Sequence, residues 1–227
     1  MTMLLLAAIA FVGSHFLLSH PLRAPLVRAI GEGTFLGLYS VVAVTTLIWM
    51  VVAYRMAPGA APLWEVGDRL WTVATLLMLI ASVLLAGSLV GNPAFPKAGA
   101  SDAAPGEARG VYTITRHPMF WSFAIWGVAH ILVYPIDKTF IVAAAIIVLS
   151  LVGAGFQDRK KERQQPEVWP GWERQTSYVP FAAIFAGRAR LKGFGPIDLL
   201  GGLMFWLAAT WAHLLLGGSA AGVWRWL

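Results

Sequence analysis

The sequence predicts an all-α membrane protein, a polytopic bundle of about six transmembrane helices, and three observations support this fold class. Hydrophobic residues make up 58% of the 227 residues and charged residues only 12%, whereas a soluble domain has roughly 25% charged residues. The mean hydropathy is +0.69. Several apolar runs approach the roughly 20 residues that a helix needs to cross a hydrocarbon core of about 30 Å. We therefore expect one transmembrane domain, residues 1–227, in a lipid bilayer.

Six apolar runs define the predicted spans, which lie at 2–20, 34–54, 70–90, 118–134, 139–156 and 197–216. The first run has no basic region before it and no small-residue cleavage site, so we expect a retained helix and not a signal peptide. Proline, glycine and charged residues separate the runs. The linker at 91–109 is rich in Ala, Gly and Pro, and we expect it to be mobile.

Lysine and arginine are unevenly divided between the two ends of the predicted bundle. Thirteen of the seventeen lie in the first, third and fifth linkers, and four lie on the opposite side. By the positive-inside rule, these three linkers are predicted to be cytoplasmic and both termini periplasmic. Topology therefore accounts for the net charge of +6. Since the chain has no nucleic-acid-binding motif or regular basic stripe, we expect no nucleic-acid partner.

The chain has no cysteine and five histidines. The absence of cysteine excludes disulfides, thiolate metal ligands and a cysteine nucleophile, so His, Met, Tyr or carboxylates would have to hold any metal or haem. A histidine inside a span is a functional candidate because burying an ionisable group there is costly. A histidine bonded to a neighbouring helix would be only structural. His15 lies within the first span, whereas His20 and His213 lie near span ends, where an interfacial role suffices.

The fourth span carries two histidines that are expected to belong to separate sites. His117 and His130 are thirteen residues apart, which is about 20 Å along a helix, and they point to roughly opposite faces. His117 follows Arg116 at the mouth of the span, where both can meet an anionic or polar group. His130 shares its face with Trp126 and Gly127. A flat apolar cofactor could lie in the gap at this glycine, and close helix packing is the alternative explanation.

A motif with a known counterpart begins at "GVYTITRHPMF", where Arg116, His117 and Pro118 open the fourth span. A charged stretch with Asp158 and Glu162 follows, and then "WERQTSYVPF". Residues 110–181 thereby resemble the C-terminal core of the isoprenylcysteine carboxyl methyltransferases. The resemblance implies S-adenosylmethionine bound near Arg116, His117 and Glu162. Tryptophans and prolines in "QQPEVWPGWERQTSYVPF" depart from the glycine-and-tyrosine run of that family.

A broader resemblance covers nearly the whole chain. The stretches "FVGSHFLLSHPLR", "LYSVVA" and "RHPMFWSFAIWGVAH", together with the length, resemble the NnrU family of bacterial inner-membrane proteins. That family is named from a locus tied to nitrite and nitric oxide reduction in denitrifying bacteria. The same domain forms the core of plant 15-cis-zeta-carotene isomerase, a membrane enzyme that uses haem b. The resemblance implies a multi-pass protein of a bacterial inner membrane, with a lipophilic small molecule as its substrate.

This resemblance assigns haem b to particular residues. The haem-linked histidines of the isomerase fall on His15 and His130, which are the implied metal ligands. Further residues of the implied cofactor site are Arg116, His117, Trp126 and Gly127. Gly127 replaces a cysteine of the isomerase, so a ligand exchange at that cysteine cannot occur here. His15 and His130 are expected about 8 Å and about 18 Å from the cytoplasmic ends of their helices, whereas two ligands of one haem should lie at similar depth. His213 is therefore the alternative partner of His130, and ligation by one histidine also stays open.

Three functions are compatible with these observations. A haem-b protein would isomerise a carotenoid or other polyene, or sense redox state or nitric oxide in denitrification. An S-adenosylmethionine-dependent membrane methyltransferase would use Arg116 and His117 for its cofactor. In a non-catalytic assembly or regulatory protein the same motif would only cap the fourth span, for which Pro118 at a first helical turn is well placed. The sequence leaves the substrate and the oligomeric state open.

Overall fold

A computed structural model, which describes residues 1–93, 106–216 and 218–227, shows an all-helical bundle. The predicted fold class is confirmed, and the described part of the chain has no strand. Its α-helices are α1 (Thr2–Ser19), α2 (Arg23–Ile30), α3 (Glu32–Met56), α4 (Asp68–Ser88), α5 (Pro118–Val133), α6 (Asp137–Gln164), α7 (Trp169–Gln175), α8 (Ala182–Phe185) and α9 (Gly202–Leu215). Most of the linker predicted to be mobile, including Lys97, lies outside the described residues.

Five of the six predicted spans are helices long and apolar enough to cross a membrane, which makes this a multi-pass membrane protein. They are α1, α3, α4, α6 and the segment Ile197–Leu215, in which a π-helical turn leads into α9. The other predicted span, 118–134, is α5, whose 16 residues extend about 24 Å. That length is less than the roughly 30 Å of an average hydrocarbon core, and the count of six stays a prediction.

Helix α6 continues well beyond its predicted end. The apolar run stops near residue 156, but the helix reaches Gln164 through "QDRKKERQ". Most of these residues are strong helix formers, so the helix continues although the hydrophobic pattern ends. The extension carries Asp158 towards the start of α5. In the same way α2 occupies a region that the sequence assigns to a linker.

Small residues let α1, α3 and α6 pack closely inside the bundle. Their shared core is made of Leu4, Ala7, Ala8, Phe11, Met50, Ala53 and Ala145. Four of these seven residues are alanines, which allow helix backbones to approach where lipid provides no hydrophobic driving force. Helix α5 packs on the other side of α6 and on α4. Helix α9 packs against α4 at Gly202, where an added Cβ would lie 2.7 Å from the Val83 Cα.

The end of the bundle at which α5 begins is covered by residues 106–117 and 165–196, which we call the basic cap. Backbone hydrogen bonds join its two segments, because Arg116 donates to Ser177 at 2.9 Å and Phe181 donates to Ile114 at 2.7 Å. Gly110 donates to Lys192 at 2.8 Å. A second apolar core joins the cap to α4 and comprises Leu84, Ala108, Val111, Tyr112, Trp169 and Trp172. The cap therefore holds the beginning of α5 in a fixed position.

Candidate functional site

The charged motif before α5 forms a buried ion-pair centre with Asp158. The Arg116 guanidinium donates through Nε to both carboxylate oxygens, at 3.0 and 2.9 Å, and through Nη2 at 2.6 Å. His117 donates from Nε2 to the same carboxylate at 2.8 Å. The three side chains are exposed by only 13%, 1% and 8% for Arg116, His117 and Asp158. Arg116 and His117, predicted to meet an anionic group, thus meet one from their own chain.

The local backbone explains why these side chains converge. Pro118 occupies the first turn of α5, and His117 before it has φ −121° and ψ 53°, since a residue that precedes proline is disfavoured in helical geometry. The Thr115 hydroxyl lies 3.1 Å from the Ser177 carbonyl and 2.8 Å from the Tyr178 carbonyl. The Tyr178 ring then lies 5.6 Å from the His117 ring, centroid to centroid. These contacts orient the side chains of Arg116 and His117 towards α6.

Glu173 brings a second carboxylate to the centre, 3.2 Å from Arg116 Nη2. Burial raises the pKa of Glu173, the carboxylates of Asp158 and Glu162 raise it further, and Arg116 opposes the rise. Glu162, the acidic residue implied for S-adenosylmethionine, is exposed. The arrangement is that of a structural clamp at the mouth of α5. Binding of S-adenosylmethionine stays a prediction.

Glu173→Gln is expected to change stability in a pH-dependent way. A carboxyl group whose pKa is raised by folding stabilises the protein at low pH, and this contribution is lost as the pH rises through the raised value. The Gln variant should therefore gain stability relative to the wild type as the pH rises from below the ordinary value of 4.5. The gain should stay within about 1 kcal/mol because the Glu173 side chain keeps 27% of its surface exposed, so solvent screens its charge in part. Thermal unfolding in detergent between pH 4 and 8 measures this difference in stability. A Gln variant that becomes less stable relative to the wild type as the pH rises contradicts the prediction.

A pair of histidines lies farther along the bundle. The rings of His130 on α5 and His213 on α9 have centroids 6.2 Å apart and planes 28° from parallel. The Trp126 ring lies 4.1 Å from the His130 ring. Nδ1 of His130 lies 2.8 Å from the Trp126 carbonyl, and Nδ1 of His213 lies 3.0 Å from the Ala209 carbonyl. Because a carbonyl only accepts, both Nδ1 atoms carry the proton, which leaves the Nε2 lone pair of each ring available.

His15 lies in a different part of the bundle. Its Nδ1 lies 2.7 Å from the Phe11 carbonyl, and among the described residues its ring contacts are Phe11 on α1 and Tyr39 on α3. Phe16 on α1 contacts α6 at Gly153, whereas Gly127 on α5 contacts α6 at Ala143. These two positions are about 15 Å apart along a helix. The structure thus brings His130 together with His213 and Trp126, and it places His15 elsewhere; the implied pairing of His15 with His130 stays a prediction.

The paired histidines fit the chemistry of haem iron. Neutral imidazole is a common ligand of haem and other transition metals. The rings of His130 and His213 lie 6.2 Å apart with their planes 28° from parallel, so two imidazoles are near neighbours here. The part of the chain that the structure describes has no group of three or more His, Cys, Asp or Glu residues suited to a metal ion.

The gap predicted beside Gly127 is filled by α6. A Cβ added at Gly127 would lie 2.8 Å from Ile147 Cγ1 and 3.2 Å from the Ala143 carbonyl oxygen. The glycine therefore allows α5 and α6 to approach each other, as the alternative explanation states. The Trp126 ring beside this glycine contacts His130 directly. Whether Gly127 itself belongs to the implied haem site stays a prediction.

Gly127→Ala is expected to destabilise the protein by about 1 to 3 kcal/mol, the usual cost of overpacking a close contact. A lower unfolding temperature in detergent, followed by circular dichroism, is the readout. Gly155→Ala is the matched control, because Gly155 lies in α6 and, in the part of the chain that the structure describes, nothing lies within 4 Å of the added Cβ. There the exchange of a helical glycine for alanine should be neutral or stabilising. Equal destabilisation of both variants would contradict the packing explanation.

Asp198 is a residue that sequence reasoning does not single out. Its carboxylate accepts a hydrogen bond from the Gly195 N–H at 2.8 Å and lies in a cradle formed by Gly87 and Gly110, where an added Cβ would overlap it. Tyr112 donates to the Ser88 carbonyl at 3.2 Å. Burial raises the pKa of this tyrosine, and the Asp198 carboxylate raises it further. The glycines at 87 and 110, the latter with φ +55°, are the sequence signals that point to the cradle.

Comparison with known proteins identifies the family. The chain is 35% identical over 118 residues to the chloroplastic 15-cis-zeta-carotene isomerase of Zea mays, covering 49% of this chain and 32% of that protein. It is 31% identical over 116 residues to the same enzyme of Arabidopsis thaliana, with the same coverage. The chain thus spans about a third of the length of these relatives. No solved structure matches it significantly. The sequence profile of the NnrU protein family matches residues 3–221, and the chain therefore belongs to that family.

Proposed function

We propose that this protein is a haem-dependent cis-trans isomerase that acts on a carotenoid or similar polyene within the membrane. The observation that carries the proposal is its similarity, over about half of its length, to proteins named 15-cis-zeta-carotene isomerase. The helical membrane bundle supports a lipophilic substrate, since such a molecule can reach the protein through the bilayer. The paired imidazoles of His130 and His213 support a haem iron as the cofactor.

Several residues of the chain would prepare the site for haem b. When bound, haem supplies an iron whose ligation and redox state can promote rearrangement of a polyene. The hydrogen bonds from Nδ1 of His130 and of His213 fix the tautomer and orientation of each ring, as outer partners of metal-binding histidines generally do. Trp126 offers a flat apolar surface beside His130. Both histidine rings are partly buried in the bundle.

The absence of cysteine distinguishes this site from a thiolate-assisted one. Gly127 stands one helical turn before His130 and presents no ligand atom, and α6 occupies the space beside it. A bound haem would therefore have to be held by histidine, methionine, tyrosine or carboxylate side chains, without a thiolate. We propose His213 as the second ligand, because its ring is near His130, and we retain His15 as the competing assignment that the family resemblance implies.

Absorbance of the detergent-purified protein from a haem-sufficient host tests the cofactor. We expect a Soret band in the wild type, its loss in His130→Ala and its loss or displacement in His213→Ala. His15→Ala should keep the wild-type band. A colourless wild type, or an unchanged His130→Ala spectrum, would overturn the haem assignment. A His15→Ala spectrum that changes while His213→Ala does not would instead make His15 the second ligand.

Activity is measured separately on the same preparation. Incubation with a 15-cis polyene, followed by chromatography of the isomers, should show conversion by the haem-loaded wild type. A protein that binds haem without conversion would sink the isomerase assignment while leaving haem binding intact. In that case a Soret shift on addition of nitric oxide would favour the link to denitrification. Calorimetry with S-adenosylmethionine should show no binding, and a saturable heat would favour the methyltransferase.

The proposal also includes a location in a bacterial inner membrane with both termini on the periplasmic side. It is supported by the uneven distribution of lysine and arginine, thirteen of which lie in the linkers at one end of the bundle. Fusions of a periplasm-dependent phosphatase and of a cytoplasm-dependent fluorescent protein to the C-terminus test this orientation. An active fluorescent fusion with an inactive phosphatase fusion would reverse it.

A further inference from the structure

A polar cavity of about 230 Å³ opens in the basic cap. Its lining residues are Glu107, Ala108, Thr113, Gln175, Gly187, Arg188, Ala189, Arg190 and Lys192. At about 30 Å³ for each water molecule in the liquid, the volume corresponds to roughly eight waters. That is room for a phosphate group and for part of the molecule that carries it. Neither the haem proposal nor the ion-pair centre uses this cavity.

The walls of the cavity are tied together by hydrogen bonds. Arg188 donates through Nη1 to three carbonyls at the end of α7, at 2.8 to 3.1 Å. The Gln175 side chain accepts from the Ala108 N–H at 2.9 Å and donates to the Gly106 carbonyl at 3.3 Å. The Lys192 carbonyl accepts from the Gly110 N–H. Because these bonds join both segments of the cap, the cavity is already formed before a ligand binds.

The charge of the lining is positive. It contains three cations and one carboxylate, Glu107. Lys192 pairs with that carboxylate, and its hydrogen bond and charge lower the Glu107 pKa. Among the described residues Arg190 pairs with no carboxylate. The lining thus has two more positive than negative charges, and both unmatched charges are on arginines. Arginine is well suited to bind phosphate because its planar guanidinium donates two parallel hydrogen bonds.

The position of the cavity indicates where a phosphate would come from. Arg188, Arg190 and Lys192 lie five to nine residues before the last membrane-spanning segment begins at Ile197. Large apolar side chains beside them are unusually exposed, with Phe185 at 88% and Leu191 at 56%. Apolar side chains next to cations are typical of a segment that lies in the membrane interface. The cavity would then lie at the depth of the lipid headgroups.

We propose that this cavity binds the phosphate-bearing headgroup of an anionic phospholipid from the leaflet at the basic end of the bundle. Arg190 and the outward part of the Arg188 guanidinium contact the phosphate, while Phe185 and Leu191 lie among the acyl chains. Basic pockets at the cytoplasmic membrane surface are a known way to recognise anionic headgroups. The bound lipid would fix the basic cap, and with it the beginning of α5, relative to the bilayer.

Binding is measured with the purified full-length protein in detergent and short-chain phosphatidylglycerol as the probe. We expect saturable binding by calorimetry and a higher unfolding temperature at saturation. Arg190→Gln should weaken binding about fivefold, since one cation near a lipid surface contributes about 1 kcal/mol, and Arg190→Glu should weaken it further. Arg163→Gln is the matched control: the charge change is the same, and Arg163 is exposed but does not line the cavity.

Any of three other results would overturn the proposal. Equal weakening in Arg163→Gln would mean diffuse attraction to a basic surface and no site. Equal binding of short-chain phosphatidylcholine would remove the selectivity for anionic lipid. Inorganic phosphate that binds as tightly as the lipid would make free phosphate the ligand. Arg190 variants must keep the wild-type unfolding temperature without lipid, as expected for an exposed side chain, so loss of binding cannot be attributed to loss of folding.

Discussion

Asp158→Asn is expected to lower the free energy of unfolding by about 3 to 5 kcal/mol, the usual effect of removing one partner of a buried ion pair. Asparagine has the same shape, but it leaves the Arg116 guanidinium without its principal counter-ion and offers an amide group to the His117 Nε2–H. Both side chains are nearly excluded from solvent, so water cannot replace the lost carboxylate. Glu173 contacts Arg116 from a more exposed position and compensates only in part.

Thermal unfolding in detergent, followed by tryptophan fluorescence, measures this loss. Glu162→Gln is the control, because it removes a carboxylate one turn farther along α6 that is exposed. It should leave the unfolding temperature nearly unchanged, since surface ion pairs contribute about 0 to 1 kcal/mol. Similar unfolding temperatures for Asp158→Asn and the wild type would show that the centre does not stabilise the fold.

Gly110→Ala is expected to have the second-largest effect. The residue has φ +55°, which is strained by about 1 to 2 kcal/mol for a residue with a Cβ. The added methyl would also overlap the Asp198 carboxylate, and overpacking costs about 1 to 3 kcal/mol more. Gly91→Ala separates the two causes, because Gly91 has φ +62° and no described residue lies within 4 Å of the added Cβ. It should show the backbone strain alone.

A double-mutant cycle with Asp198→Ala tests the contact directly. If the carboxylate causes the overlap, the combined variant should be more stable than the sum of the single changes predicts. The loss of the hydrogen bond from the Gly195 N–H occurs in both Asp198→Ala backgrounds and cancels in the cycle. Additive effects, or equal losses in Gly110→Ala and Gly91→Ala, would refute the cradle.

The sequence predicted most of the spans because length and apolar composition are local properties of the chain. It missed the last two turns of α6, since the apolar run ends where the charges begin while the helix continues to Gln164. For α5 the predicted run 118–134 agrees with the observed Pro118–Val133 to within one residue, and both are shorter than an average span. Where a helix ends depends on backbone hydrogen bonds and capping, and hydropathy does not report these.

The candidate sites were predictable as groups of residues but not as contacts. Arg116 and His117 were recognised as a motif, and Asp158 was noticed in the charged stretch, yet 41 residues separate His117 from that carboxylate and only the packing of α5 on α6 joins them. His130 was a candidate from the start. Its neighbour His213 depends on the arrangement of α9 and α4. No local pattern encodes which helices are neighbours in a bundle.

The short α5 has a consequence for the synthesis of the protein. A helix of 16 residues, preceded by a buried arginine and histidine, is poorly suited to enter the bilayer by itself. The turn to α6 contains only residues 134–136, and the carboxylate that neutralises Arg116 and His117 lies near the end of α6. Helices α5 and α6 should therefore leave the translocon as one hairpin, with the ion pair closing once the two helices have packed together.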